Sequence, residues 1–184
     1  YRTAINDMMR RDLNDLVNYT LDNVKIDDND IVIDIGANDC TMIDMFPNKL
    51  NRIAVEPAKN IDWKHVDKSI NIVNEYFSKE IVMQETKKEK AKIITATAMF
   101  YDFNDPNIVT KDIKEILHND GVCVIQVSYL LDTIKDMNFY DAMHEHLEYY
   151  SLKSINYLME KNGLTVIDAS TNFVNGGSLR VLVT

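Results

Sequence analysis

Residues 31–35 read Ile-Val-Ile-Asp-Ile, four aliphatic side chains around one acid, and Gly36-Ala-Asn-Asp-Cys-Thr41 follows at once. A run that is apolar on both faces must be covered on both faces, so this segment reads as a central strand of a parallel sheet. Gly36 permits a tight turn and a close approach of backbone to a ligand. The spacing then predicts a short helix from Thr41 to about Phe46, stopped near Pro47, with its free N–H groups at the turn. Arg52-Ile-Ala-Val-Glu56-Pro57 is a second apolar strand ending in an acid, the position at which open α/β sheets hold a carboxylate against a ribose.

The loop between these strands is not the three-glycine cradle of a dinucleotide fold, because one glycine is followed by Asn38 and Asp39 and an acid repels phosphate. An acidic loop suits a ligand bearing positive charge. S-adenosylmethionine carries an ammonium, a sulfonium and a ribose, and Asp34, Asp39 and Glu56 are the partners such a ligand needs. Read singly, Asp34 is equally a turn cap and Glu56 a solvated strand end; the ordered set is what favours a cofactor loop.

Downstream, the alternation continues. Ile70–Val73 and Lys92–Ala96 read as strands, a helix begins at Ser78, and Thr97-Ala-Met-Phe-Tyr-Asp102 leaves the fourth strand at the same sheet edge. Ile108–Leu117 is amphipathic, Asn119-Asp-Gly121 is a turn, and Val122–Val127 is a fifth strand. Ser128–Tyr150 interrupts the rhythm, and an interruption of that length is usually functional. Leu152–Asn162 is a helix capped by Gly163, and Leu164–Ala169 with Ser178–Val183 are closing strands around Asn175-Gly-Gly177. Ahead of all this, Ile5, Met8, Met9, Leu13, Leu16, Val17, Leu21 and Val24 recur at helical spacing, so an amphipathic helix must cover the sheet or the ligand mouth. Alternating strands and helices require a parallel sheet covered on both sides, and the short final connection makes the last strand antiparallel.

At 184 residues with 46% apolar and 27% charged side chains, the chain is expected to be one globular domain. No apolar run approaches a membrane span, and the polar start Tyr1-Arg-Thr3 is no signal peptide, so the expectation is a cytoplasmic protein. A formal charge of −9 without any Lys/Arg cluster argues against nucleic acid and anionic membranes as partners. Cys40 and Cys123 form no CxxC pair, which indicates two reduced thiols rather than a disulfide or zinc site.

Six segments, in order, resemble the central domain of the sugar C-methyltransferases, which act on nucleotide-linked keto-deoxysugars: Asp34-Ile-Gly-Ala-Asn-Asp-Cys-Thr41, Val55-Glu-Pro-Ala58, Asn119-Asp-Gly-Val122, Val127-Ser-Tyr-Leu-Leu-Asp132, His144-Glu-His146 with Tyr149 and Ser151-Leu152, and Gly176-Gly-Ser-Leu-Arg-Val181. Tyr1-Arg-Thr3 and Met8-Met-Arg10 resemble the family's helix leading into the cofactor domain. The resemblance implies a Rossmann-like class I methyltransferase fold: a mostly parallel seven-stranded sheet with an antiparallel last strand and helices on both faces. It implies one methyltransferase domain over 1–184, with an N-terminal helix (1–28), a cofactor-binding part (31–127) and an acceptor-side loop with closing strands (128–184). S-adenosyl-L-methionine is the implied cofactor, held by Asp34, Gly36, Ala37, Asn38, Asp39, Glu56, Pro57, Thr97 and Ala98. A small molecule is the implied partner, a nucleotide-sugar in the first instance. Departures are plain: Cys40 stands for a glycine, Met143 for a tyrosine implicated in catalysis, Asn175 for a histidine, and Ala98 and Asp102 for an asparagine and a histidine. Members of the family also carry a cysteine-rich zinc domain before this region and another α/β domain after it, so the chain resembles a minimal version or an excised middle piece.

Carbon methylation needs a base with a pKa near neutrality to remove a proton beside a carbonyl, and histidine supplies one. The candidate is His146, with His144 and Glu145 to orient it or bind substrate; Tyr149 and Tyr150 read first as loop packing, though either hydroxyl, Tyr149 as the candidate, can replace the one lost at Met143. Tyr129, Asn175 and Arg180 are the candidate substrate contacts, Arg180 as the partner of a diphosphate. An exposed polar loop and a metal pair are the competing readings of His-x-His; the latter lacks a third ligand. An O- or N-methyltransferase of another metabolite and a non-catalytic binding module are the alternative functions.

Overall fold

A computed structural model describes residues 6–184; Tyr1-Arg-Thr3 and Ile5 lie outside them. Helix α1 (Asp7–Asp22) starts where the Asn6 side chain accepts the N–H groups of Met8 and Met9. Then come β1 (Ile31–Ile35), β2 (Asn51–Val55), β3 (Asn71–Val73), α2 (Lys79–Glu85), β4 (Ala91–Thr97), α3 (Pro106–Ile116), β5 (Leu117–Ser128), α4 (Leu130–Lys135), α5 (Leu152–Lys161), β6 (Val166–Asn172) and β7 (Ser178–Val183). The sheet order is β3-β2-β1-β4-β5-β7-β6. Strands β1 to β5 run parallel, and β7 is antiparallel to both β5 and β6.

Both sheet faces are covered, as the unbroken apolar strands require. One face packs Val82 of α2, Val109 and Ile113 of α3 and Ile155 of α5 against Ile33, Ile94 and Ile125. The other packs Leu13, Leu16 and Val17 of α1 with Ile43 and Phe46 against Val32, Ile93 and Val124. Helix α1 is further bolted to the reversed strands by a buried polar network. Arg180 on β7 pairs with Asp12 at 3.4 Å and Asp15 at 2.8 Å, and Gln126 on β5 donates to Asp12 at 2.6 Å. Burying Arg180, Asp12 and Gln126 is tolerable only because they satisfy one another, with Asp15 reaching Arg180 from the surface.

Three local expectations change. The helix expected from Thr41 to Phe46 is only a 3₁₀ turn, Ile43–Met45; Cys40 adopts φ 63, and the Thr41 N–H is taken by the Asp39 carboxylate. Helix α3 begins at Pro106 rather than Ile108, because Asp105 caps it and proline fits the first turn. Strand β5 begins at Leu117, before the expected Asn119-Asp-Gly121 turn, which survives as an irregularity in its pairing with β4. Gly121 is required there, since a Cβ would lie 2.8 Å from the Lys92 carbonyl. The interruption at 128–150 contains α4 and a 3₁₀ turn, Phe139–Asp141. Among the described residues no helix is long and apolar enough to cross a membrane.

Candidate functional site

Strands β2 and β4 leave β1 on opposite sides, and their C-terminal ends open a crevice at that switch point, where open α/β sheets bind ligands. A cavity of ≈ 660 Å³ fills the crevice. Asp34, Gly36, Ala37, Asn38, Asp39, Glu56, Pro57, Thr97, Ala98 and Asn175, ten of the residues singled out from the sequence, all line it. Met9 and Leu13 of α1 form part of its wall, so the helix covers the sheet and the mouth together. Gly36 sits at φ +72, and a Cβ there would come 2.7 Å from the Met99 side chain across the crevice.

The first turn is drawn around Glu56. Its Oε2 accepts the Asn38 N–H at 2.8 Å and its Oε1 accepts the Ala58 N–H at 2.8 Å, while its own carbonyl is held by Asn74. The carboxylate, 8% exposed, is thereby fixed in orientation with lone pairs left over toward the cavity. Asn38 is in the left-handed region at φ 48, and its carbonyl accepts from the Trp63 indole at 3.0 Å. Its Oδ1 is buried without a hydrogen-bond partner. Asp34 is 2% exposed and accepts from the Thr95 hydroxyl at 2.8 Å. Burial, with a smaller contribution from the charge of Glu56, pushes its carboxyl up to about 7. Among the described residues the cavity wall holds four acids, Asp34, Asp39, Glu56 and Asp102, and no lysine, arginine or histidine.

That raised carboxyl has a signature in stability. An unfolded aspartate releases its proton near pH 3.9, whereas folded Asp34 keeps it to about 7, so the folded state binds the extra proton between those values. Stability from this group is therefore full at low pH and is lost as pH rises through the window. Thermal unfolding of the wild type minus that of Asp34→Asn, followed from pH 5 to 8, is expected to fall by about 2 kcal/mol, or roughly 4–8 °C in Tm. A difference that is flat with pH would show that Asp34 is ionised throughout.

The second cluster is in the long interruption. His146 is the inward-facing member of His144-Glu-His146: its side chain is 12% exposed, against 92% for His144 and 60% for Glu145. Its ring lies on Tyr101, with centroids 4.0 Å apart, and its Nδ1 is 3.6 Å from Oδ1 of Asp141. Asp102, in a 3₁₀ turn (Phe100–Asp102) after β4, bridges the two clusters: it lines the cavity and feels the charge of His146. Burial holds the Asp102 carboxyl above its ordinary range despite that charge. Tyr149 stands off the cavity, its hydroxyl donating to the Asp141 carbonyl at 3.4 Å.

Tyr129 and Arg180 are not brought into the crevice. Tyr129 caps α4, its N–H bound to the Gly177 carbonyl and its side chain packed on the core. The Arg180 guanidinium is committed to Asp12, Asp15 and Gln126 and lies 5.4 Å from the Tyr19 ring centroid, so it has no donor turned to a diphosphate in the cavity. Among the described residues no three His, Cys, Asp or Glu side chains gather into a metal-holding group. Cys40 and Cys123 are both free and buried.

Sequence reasoning missed the apolar wall, Met99, Phe77 and Phe103, because a ligand-facing aromatic and a core aromatic have the same pattern. It also missed Asp141, one aspartate among many in a loop without periodicity.

A family described as "Methyltransferase domain" matches residues 5–169. C-methyltransferase NovU of Streptomyces niveus is 29% identical over 168 residues, covering 90% of this chain and 40% of that protein. The chain thus spans less than half of that relative. Among solved structures, magnesium protoporphyrin IX methyltransferase of Synechocystis PCC 6803 with bound SAH superposes with a TM-score of 0.69 at 7% identity, over 97% of this chain and 87% of the other. The plantazolicin methyltransferase BpumL, also with SAH, gives 0.70 at 12% identity over 97% and 85%. With the family match covering most of its length, on a sheet of this order, the chain belongs to the methyltransferase domain family.

Proposed function

We propose that this chain is an S-adenosylmethionine-dependent methyltransferase domain acting on a small molecule, and that its reaction is C-methylation of a nucleotide-linked keto-deoxysugar. The observation that carries the reading is the acidic crevice at the switch point, without lysine, arginine or histidine among the described residues, and with one shielded histidine beside it. The wall fits the cofactor: Glu56 is an oriented acceptor for ribose hydroxyls, and the acidic lining complements a sulfonium and an ammonium. When bound, S-adenosylmethionine supplies a methyl group activated by the positive sulfur.

The protein's own tasks are binding, alignment and a proton. Residues 31–127 hold the cofactor, Met9 and Leu13 exclude water from the crevice, and residues 128–184 present the acceptor. His146 takes the proton next to the ketone, which turns the substrate carbon into a nucleophile. The similarity to NovU supports carbon as the acceptor atom; the amides of Asn104 and Asn175 on the cavity wall suit sugar hydroxyls, and the acids beside them disfavour a diphosphate there.

Titration calorimetry with S-adenosylmethionine and SAH comes first, and absence of binding at millimolar concentration would refute the enzyme reading. Release of deuterium from a nucleotide-linked 4-keto-deoxysugar labelled beside the ketone then tests the chemistry. Exchange without net methylation of oxygen is the expected result; cofactor binding with no exchange would point instead to O- or N-methylation.

A further inference from the structure

We infer that Asp141 is the positioning residue for His146: it fixes the imidazole as the Nδ1–H form, which leaves the Nε2 lone pair as the base. This rests on the proposed role of His146 and names a residue that role does not by itself require.

The geometry is that of a carboxylate placed behind a ring. Asp141 Oδ1 stands 3.6 Å from His146 Nδ1, and both side chains are shielded, at 8% and 12% exposure. The carboxylate is itself held. Ser128 Oγ donates to Oδ1 at 3.1 Å, Thr133 Oγ1 donates to Oδ2 at 2.9 Å, and the Tyr149 hydroxyl reaches the Asp141 carbonyl. Ser128 ends β5 and Thr133 lies in α4, so the sheet and the helix together aim the acid. The backbone closes the same unit, since the His146 N–H binds the Met143 carbonyl and the Leu147 N–H binds the Tyr101 carbonyl. A buried carboxylate supplied with two hydroxyl donors but facing no lysine or arginine at ion-pair distance among the described residues has one cationic partner available, the imidazole.

The chemistry follows. A neutral imidazole carries its proton on one nitrogen, and a carboxylate beside Nδ1 favours that nitrogen as donor. The opposite nitrogen then holds a free lone pair, and when it gains a proton the resulting imidazolium is stabilised by Asp141. The groups that face the ring are few. Asp141 and Tyr149 approach from its own loop, Tyr101 and Asp102 from the turn after β4, and Glu145 is the adjacent residue. Of these, Asp141 alone is at ion-pair distance from a ring nitrogen.

Nitrogen-15 spectra of the full chain, with His146 assigned by difference against His146→Gln, test the inference without substrate. The wild type should show Nδ1 protonated and Nε2 bare in the neutral ring. Asp141→Asn should shift that population toward the Nε2–H form and lower substrate deuterium exchange 10- to 100-fold through kcat rather than KM. Asp141→Glu should recover part of each effect. An Nε2–H ring in the wild type, or spectra unchanged in Asp141→Asn, would overturn the assignment. A wild type that exchanges no deuterium yet shows the Asp141-dependent tautomer would retire the proposed reaction and leave the positioning intact.

Discussion

His146→Ala is expected to slow deuterium exchange beside the substrate ketone by about 10³-fold while leaving SAH affinity within about a factor of two. The two halves of that expectation have separate physical origins. General base catalysis by a positioned side chain contributes a large factor, and the other ring nitrogens available here are poor substitutes: His144 is almost fully exposed. Cofactor binding is proposed to rest on the crevice wall, to which His146 does not belong. Removing the ring leaves a void against Tyr101, so His146→Gln serves as the control that keeps volume and polarity but has no basic nitrogen. Equal losses in both variants with melting temperature preserved would locate the effect in the proton transfer. Full exchange in either would move the base elsewhere, with Asp102 next in line, since it is the acid common to the crevice and the histidine pocket.

How much of this was legible in the sequence depends on whether the signal is local. The strand Ile31–Ile35 announces two buried faces by its composition, and from it the sheet, the turn at Gly36 and the acid at Glu56 all follow by short-range rules. Of the ten lining residues singled out, Asp34, Gly36, Asp39 and Glu56 came from that logic, while Ala37, Asn38, Pro57, Thr97, Ala98 and Asn175 were added through the family resemblance. Arg180 was misread because its strand-end position resembles a ligand contact, whereas its partners Asp12 and Asp15 lie about 165 residues away in sequence. Nothing in either segment alone reveals a buried ion pair. The Thr41–Phe46 helix failed for a smaller reason: Cys40 at positive φ breaks the helical path, a conformation that its side chain does not advertise. His144-Glu-His146 shows both outcomes at once, since the motif is visible in the sequence but only the fold turns His146 inward and His144 out. Asp141 lies five residues before the histidine it faces, joined to it by a turn that no pattern specifies.

Glu56→Ala is expected to weaken binding of S-adenosylmethionine and of SAH by about 10³-fold each, the loss of two charge-assisted hydrogen bonds at roughly 1.5–3 kcal/mol apiece. The equality is the informative part. The two ligands share the ribose and differ in charge at sulfur, so a carboxylate that holds ribose hydroxyls costs both the same, while one that serves as a counter-ion costs the cation more. Calorimetry on both ligands decides it, and a loss confined to S-adenosylmethionine would reassign Glu56 from the ribose to the sulfonium. Glu56 also ties the loop, accepting the N–H groups of Asn38 and Ala58 at 2.8 Å each. The variant should therefore lose about 1–3 kcal/mol of stability as well, from donors left facing the crevice. Glu56→Gln separates the two effects only in part, because one amide N–H₂ must then oppose a backbone N–H. Glu56→Asp is the sharper companion: it keeps the charge and withdraws it by one methylene, so its long-range attraction for the sulfonium survives while its reach to the ribose does not. An affinity close to that of Glu56→Ala in this variant, with the ratio between the two ligands unchanged, is the outcome that a ribose-holding carboxylate requires.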